Sequence, residues 1–134
     1  MPESSLLYRS ATELAALIRG GQVSSLQVVE AHLRQIADWN GQINAMVSVR
    51  AEEALQEAVQ ADRAVREGRP LPPLHGVPLT LKDSLRVRDV PSTFGVVPTS
   101  MAMRPTSDCV LAARLRQSGA ILLGRTNLPL AALD

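Results

Sequence analysis

Two patterns of apolar spacing divide the chain. Up to about Arg69, apolar residues recur every three or four positions, the period of an amphipathic helix. Ser10 and Glu13, three apart in SATE, form a capping-box signature ahead of Leu14, Leu17 and Ile18, and Gly20-Gly21 supplies a stop. Ser24 and Gln27 repeat the signature in SSLQ. Leu26, Val29, Leu33 and Ile36 then make one stripe, with Asn40-Gly41 as the expected end. INAMVSV is short and could be extended. RAEEALQEAVQADRAVREG predicts a further helix, with Leu55, Ala58, Val59 and Val65 on one side and Gly68 as its stop.

RPLPPLHG, with Pro70, Pro72 and Pro73, breaks that period and predicts a boundary. After it, Val77, Leu79 and Leu81 alternate with Pro78, Thr80 and Lys82, the period of a strand. Ser84 to Pro105 read as an irregular loop, and long loops of this kind often carry function. TSDCVLAARLRQSGA predicts a helix capped by Thr106 or Ser107, with Leu111, Ala112 and Leu115 inward and Gly119 as the stop. AILLG reads as a buried strand. Strand, helix and strand at this spacing predict a βαβ unit with parallel strands. The expected class is α/β: a helical arm over residues 1–69, then the start of a mixed sheet with flanking helices over 70–134. GRTNLPLAALD opens another element just before the last residue. A parallel pair without further strands has open edges and uncovered faces. The sequence therefore reads as cut short relative to its fold, with marginal stability or self-association through exposed sheet edges expected.

Composition narrows the function. At 134 residues the chain is one domain's worth, and 46% apolar residues suffice for a core. Fourteen basic residues face thirteen acidic ones, so charge gives no case for nucleic acid or an anionic membrane as a partner. Tyr8, Trp39 and Phe94 are too few aromatics for a base-stacking platform. The single cysteine, Cys109, excludes an intrachain disulfide, and His32 and His75 are far apart in sequence. No metal or cofactor is expected. The N-terminus lacks a basic segment followed by a continuous apolar run, and no stretch has bilayer length. A cytoplasmic location is expected.

Lys82 is the sharpest candidate for chemistry. Alternation puts it on the side of Thr80, while Leu81 and Asp83 point the other way. At the carboxyl end of a parallel strand it would occupy the edge where open α/β sheets place their sites. A lysine serves as a base only when its surroundings bring its pKa from about 10.4 toward neutrality. From the residues alone, a lysine at a strand end reaching water is the simpler reading. Ser24 and Ser25, beside glycines in GGQVSS, are better read as helix caps than as nucleophiles. Cys109 reads as a small buried helix residue, His75 as part of a surface turn, and His32 as core or partner-facing. Arg86, Arg88 and Arg104 read as solvated. LLGRTN follows a strand but carries no nucleotide-binding glycine pattern.

PLHGVPLTLKDSLRV, PSTFG and RPTSDCVLAARLRQSGAILLGRTNLP, in this order and spacing, resemble the N-terminal portion of the amidase signature family. The resemblance runs from about Ser10 to the end and implies the N-terminal part of a single amidase domain. It implies a hydrolase of carboxylic amide C–N bonds with a small-molecule amide substrate and no cofactor. By the same resemblance Lys82 is the catalytic lysine of a serine–serine–lysine triad, a base that the complete site buries. It acts through a bridging serine on a nucleophilic serine, and an acyl-enzyme forms. The family's glycine- and serine-rich segment, which supplies both serines, has no counterpart after Lys82, so this chain by itself is expected to be inactive. Val96 and Leu130 also depart from the family pattern, which usually has a small polar residue and often an acidic one there. The alternatives are a non-catalytic binding or regulatory module built on the same fold, or part of the amidase-type component of a transfer-RNA-dependent amidotransferase.

Overall fold

The structure is a computed structural model that describes residues 3–96, 98 and 101–130. Val97, Thr99 and Ser100, within the expected loop, lie outside the described residues. Among the described residues eight elements follow in order: α1 (Glu3–Leu6), α2 (Ala11–Arg19), α3 (Ser25–Ile43), β1 (Met46–Val49), α4 (Ala51–Arg66), β2 (Pro78–Lys82), α5 (Val110–Gln117) and β3 (Ile121–Thr126). The strands form one mixed sheet in the order β1-β3-β2. β2 and β3 run parallel, and β1 pairs antiparallel with β3. The class is α/β, and the segment expected as a helical arm also contributes β1 to the sheet.

Local signals set the helix starts. Ser10 and Ser24 are N-caps, and both capping boxes close, through Glu13 and Gln27. The ends depend more on contacts. α3 passes through Asn40-Gly41 and stops only at Asn44, which adopts a left-handed conformation with φ +50°. Asn40 does not end the helix because its side chain brackets the first strand instead. Its Oδ1 accepts from the Met46 N–H at 2.7 Å, and its Nδ2 donates to the Met46 carbonyl at 3.0 Å. Asp62 of α4 caps α3 from outside, accepting from the Ser25 and Leu26 N–H groups at 2.6 and 3.1 Å.

Three apolar clusters hold these elements together. Leu6, Leu14, Ala15, Ile18, Val23 and Val28 pack with Val77 at the entry to β2. Val29 of α3 and Ala54, Ala58 and Ala61 of α4 cover Ile121 and Leu123 on one face of the sheet. Small alanines let α4 approach closely. Val59, one position further round the helix, is exposed rather than inward as its spacing predicted. On the other face Leu81 and Leu122 meet Val87, Val90 and Ala112.

α5 begins at Val110, not at Thr106 or Ser107. Tertiary contacts take up the backbone ahead of it. The Cys109 N–H donates to the Arg86 carbonyl at 2.8 Å, and Asp108 Oδ1 accepts from the Arg88 N–H at 2.7 Å. Cys109 is therefore the N-cap, without a capping side-chain bond, and is half-buried. With this phase Ala112 and Leu115 face the sheet, while Leu111 is 48% exposed, contrary to its expected inward position.

Candidate active site

β2 and β3 end together, and the loop at residues 92–95 closes over the same edge. Asp83, just past β2, donates its N–H to the Thr126 carbonyl at 3.0 Å. The Asn127 N–H donates to the Ala45 carbonyl at 2.7 Å and ties this edge to the approach to β1. At Gly95 (φ +67°) a Cβ would lie 2.9 Å from the Pro129 carbonyl oxygen, so the loop and the segment after β3 touch through backbone. This is the carboxyl edge of the parallel pair, where α/β folds build sites.

The expected alternation along β2 holds. Leu81 and Asp83 are buried, and Thr80 and Lys82 are exposed. Lys82 sits in register with Thr126, one strand over. Among the described residues no carboxylate pairs with its amine. The burial implied for a base is not supplied by the described residues: Lys82 reaches open space.

Asp83 and Arg125 make up the buried half of this edge. Both side chains are fully buried, with Arg125 Nε 2.8 Å from Asp83 Oδ1. This is a contact of charges rather than an aligned hydrogen bond, since neither atom has a hydrogen-bond partner. The rest of the guanidinium donates to the carbonyls of Val90 (3.2 Å), Asp83 (3.0 Å) and Leu85. Asp83 Oδ2 accepts from the Thr93 N–H (3.0 Å), the Thr93 hydroxyl (2.7 Å) and the Phe94 N–H (2.9 Å). Burial pushes the Arg125 pKa below its usual value, and the Asp83 carboxylate opposes that push.

A bulge aims Arg125 into this pair. Between the pairings Leu79–Leu122 and Thr80–Gly124, β3 spends two residues against one on β2. The extra residue reverses the alternation, so that Arg125 pairs with Leu81 on the face toward Asp83. Gly124 makes the crowding possible, because a Cβ there would overlap the Ser48 carbonyl oxygen. Sequence reasoning did not single out Arg125. The available signal was a charge inside the apolar run of β3, which has to be paired, with the acid after β2 close to the facing position.

The other early candidates resolve structurally. Ser24 is a cap, and the Ser25 hydroxyl is buried and donates to the Gly76 carbonyl at 2.7 Å. His75 is half-buried in its turn, with Nε2 2.9 Å from the Ala61 carbonyl. His32 is half-buried, with Nδ1 2.8 Å from the Val28 carbonyl within α3. Arg104 donates to the Asp89 carbonyl at 3.1 Å. An apolar groove of about 560 Å³ is lined by Ile36, Trp39, Ile43, Met46, Leu79 and Thr80. Thr80 belongs to the same sheet face as Lys82. A larger groove of about 1040 Å³ runs along α4 and includes neither Lys82 nor Asp83. Among the described residues no group of three or more acidic, His or Cys side chains could hold a metal ion, and no helix is long and apolar enough to cross a membrane.

A family model described as Amidase matches residues 27–134. The chain belongs to the amidase signature family. It is 37% identical over 129 residues to an acylamidase of Rhodococcus erythropolis, covering 96% of this chain and 27% of that protein. It is 37% identical over 128 residues to an indoleacetamide hydrolase of Bradyrhizobium diazoefficiens, covering 96% and 24%, and 40% identical over 126 residues to a glutamyl-tRNA(Gln) amidotransferase component of Nocardia farcinica, covering 93% and 26%. A crystal structure of a bacterial aryl acylamidase of the amidase signature family superposes with a TM-score of 0.85 at 28% identity, over 92% of this chain and 26% of that one. The chain thus spans about a quarter of the length of the amidase signature proteins it matches.

Proposed function

We propose that Lys82 is the base of a serine–serine–lysine amidase site, and that the chain forms the N-terminal part of a single amidase domain. Residues 1–69 are its helical arm, which also lends β1 to the sheet, and residues 70–134 are the first βαβ portion of its core. The observation that carries this reading is the position of Lys82: the last residue of a parallel strand, at the carboxyl edge, with its side chain exposed, in a chain of this family.

The reaction is acyl transfer from a small-molecule carboxylic amide. Lys82, as the free amine, draws a proton through a bridging serine from a nucleophilic serine. The serine oxygen attacks the amide carbonyl, the C–N bond breaks, and the leaving amine takes up a proton. Water then hydrolyses the acyl-enzyme. No serine stands in a glycine-rich context after Lys82, so the 134-residue chain alone is inactive.

A chimera tests both statements. Residues 1–134 are joined to the part of the Rhodococcus acylamidase that follows its matched region, and amine release from a simple anilide is measured. The chimera is expected to turn over, the isolated chain not, and Lys82→Met in the chimera to lose about 10²–10⁴-fold in kcat. Undiminished turnover in that variant would remove the base assignment. Turnover by the isolated chain, abolished by Lys82→Met, would overturn the claim of inactivity.

A further inference from the structure

Lys82 is the only lysine in the chain, and the residue after it is hydrogen-bonded at its N–H, its carbonyl and Oδ2, while Oδ1 faces Arg125. The Asp83 N–H donates to Thr126, and its carbonyl accepts from the Ser92 hydroxyl at 2.9 Å and from the Arg125 guanidinium at 3.0 Å. One carboxylate oxygen faces Arg125, and the other takes three donors from the turn at Thr93-Phe94. β2 has five residues and, among the described residues, pairs with β3 alone. The last residue of a short strand frays readily unless something fixes it.

We infer that Asp83 and Arg125 are positioning residues for Lys82. With Asp83 clamped, the peptide between residues 82 and 83 cannot rotate, and the alternation of the strand throws the Lys82 side chain to the opposite face, where it is exposed. The same clamp engages the Asp83 carboxylate, which leaves the Lys82 amine without an acidic partner from its own neighbour. The fork of Arg125 matters as well as its charge. Three carbonyls and a carboxylate are gathered by one planar group, which a lysine at position 125 could not do. The inference rests on reading Lys82 as the base, yet its test needs no turnover. Retained activity in the Lys82→Met chimera would therefore sink the base assignment without touching the result below.

Reductive methylation with ¹³C-formaldehyde labels Lys82 and the terminal amine and nothing else. The Lys82 methyl resonance is followed in the wild-type chain and in Asp83→Asn, Arg125→Lys, Thr93→Ala and Val87→Ala, with the urea-unfolded chain as reference. Asp83→Asn and Arg125→Lys are expected to move the resonance at least halfway to its unfolded position and to narrow it. The second methylated lysine of Arg125→Lys is assigned by its absence from the other variants. Thr93→Ala, which removes one donor from Asp83, moves the Lys82 resonance less and in the same direction. Val87→Ala loosens the apolar cluster on the same face without touching the clamp, so it lowers Tm and leaves the resonance in place. A folded Arg125→Lys chain with the wild-type resonance overturns the inference. An equal movement in Val87→Ala overturns it too, since the effect would then be loss of stability alone. Should Asp83→Asn and Arg125→Lys both unfold, an unmoved resonance in Thr93→Ala has the same force.

Discussion

The two faces at the end of β2 belong to one strand and could hardly differ more. On one side Leu81, Asp83 and Arg125 are sealed beneath the loop at residues 85–95, every charge matched and nearly every donor used. On the other, Thr80 and Lys82 are exposed beside a groove whose Trp39 and Ile43 are 50% and 63% exposed. The closed face supplies rigidity and the open face supplies reach. A reactive amine needs a fixed Cα direction and a free head, and a strand provides both by sending neighbouring side chains to opposite sides.

The largest expected effect comes from breaking the closed face. Asp83→Ala leaves a buried guanidinium without its carboxylate and removes the anchor of the Thr93 turn. A loss of about 3–5 kcal/mol in urea denaturation is expected, a large share of the total for a domain of this size. A loss below about 1 kcal/mol would mean that water reaches Arg125 freely. Gly124→Ala comes next. Its Cβ collides with the Ser48 carbonyl, which should push β1 away and disturb the bulge that aims Arg125. The expected loss is about 1–3 kcal/mol, with amide exchange quickening in β1 before β2.

The open face should respond weakly in stability. Lys82→Met is expected to change it by no more than about 0.5 kcal/mol, because the amine has no partner among the described residues. A larger change would reveal a contact on the open side. The smallest effect is far from both faces. Hydrogen bonds from the Ser10 N–H and hydroxyl, and then from Arg9, hold the Glu13 carboxyl below the usual range. A lowered folded pKa favours folding above the ordinary glutamate value of about 4.3, and that contribution disappears as pH falls through the folded pKa. Glu13→Gln should therefore flatten the acid side of the stability profile slightly, below about pH 4.3, while the two faces of β2 keep their contrast.

What could be read early was whatever neighbouring residues settle among themselves. The capping boxes at Ser10 and Ser24 formed as their spacing implied, because cap and acceptor lie within one turn. The alternation of β2 placed Lys82 and Asp83 on opposite faces correctly for the same local reason. The failures share a different cause. α5 starts late because Arg86 and Arg88 hold the backbone ahead of it, and Asn40 serves β1 instead of ending α3. Arg125 passed unnoticed because a bulge turns it inward, and the bulge exists only where β3 lies between two partners.

Periodicity, caps and ordered motifs are written within short stretches, so the order of amino acids was enough for the main helices, the parallel strands and the family. Long-range pairing was needed to bring β1 into the sheet and to set Arg125 against Asp83. Those outcomes depend on backbones far apart in sequence sharing hydrogen bonds, and on the buried charge of one strand finding its counter-charge at the end of the next.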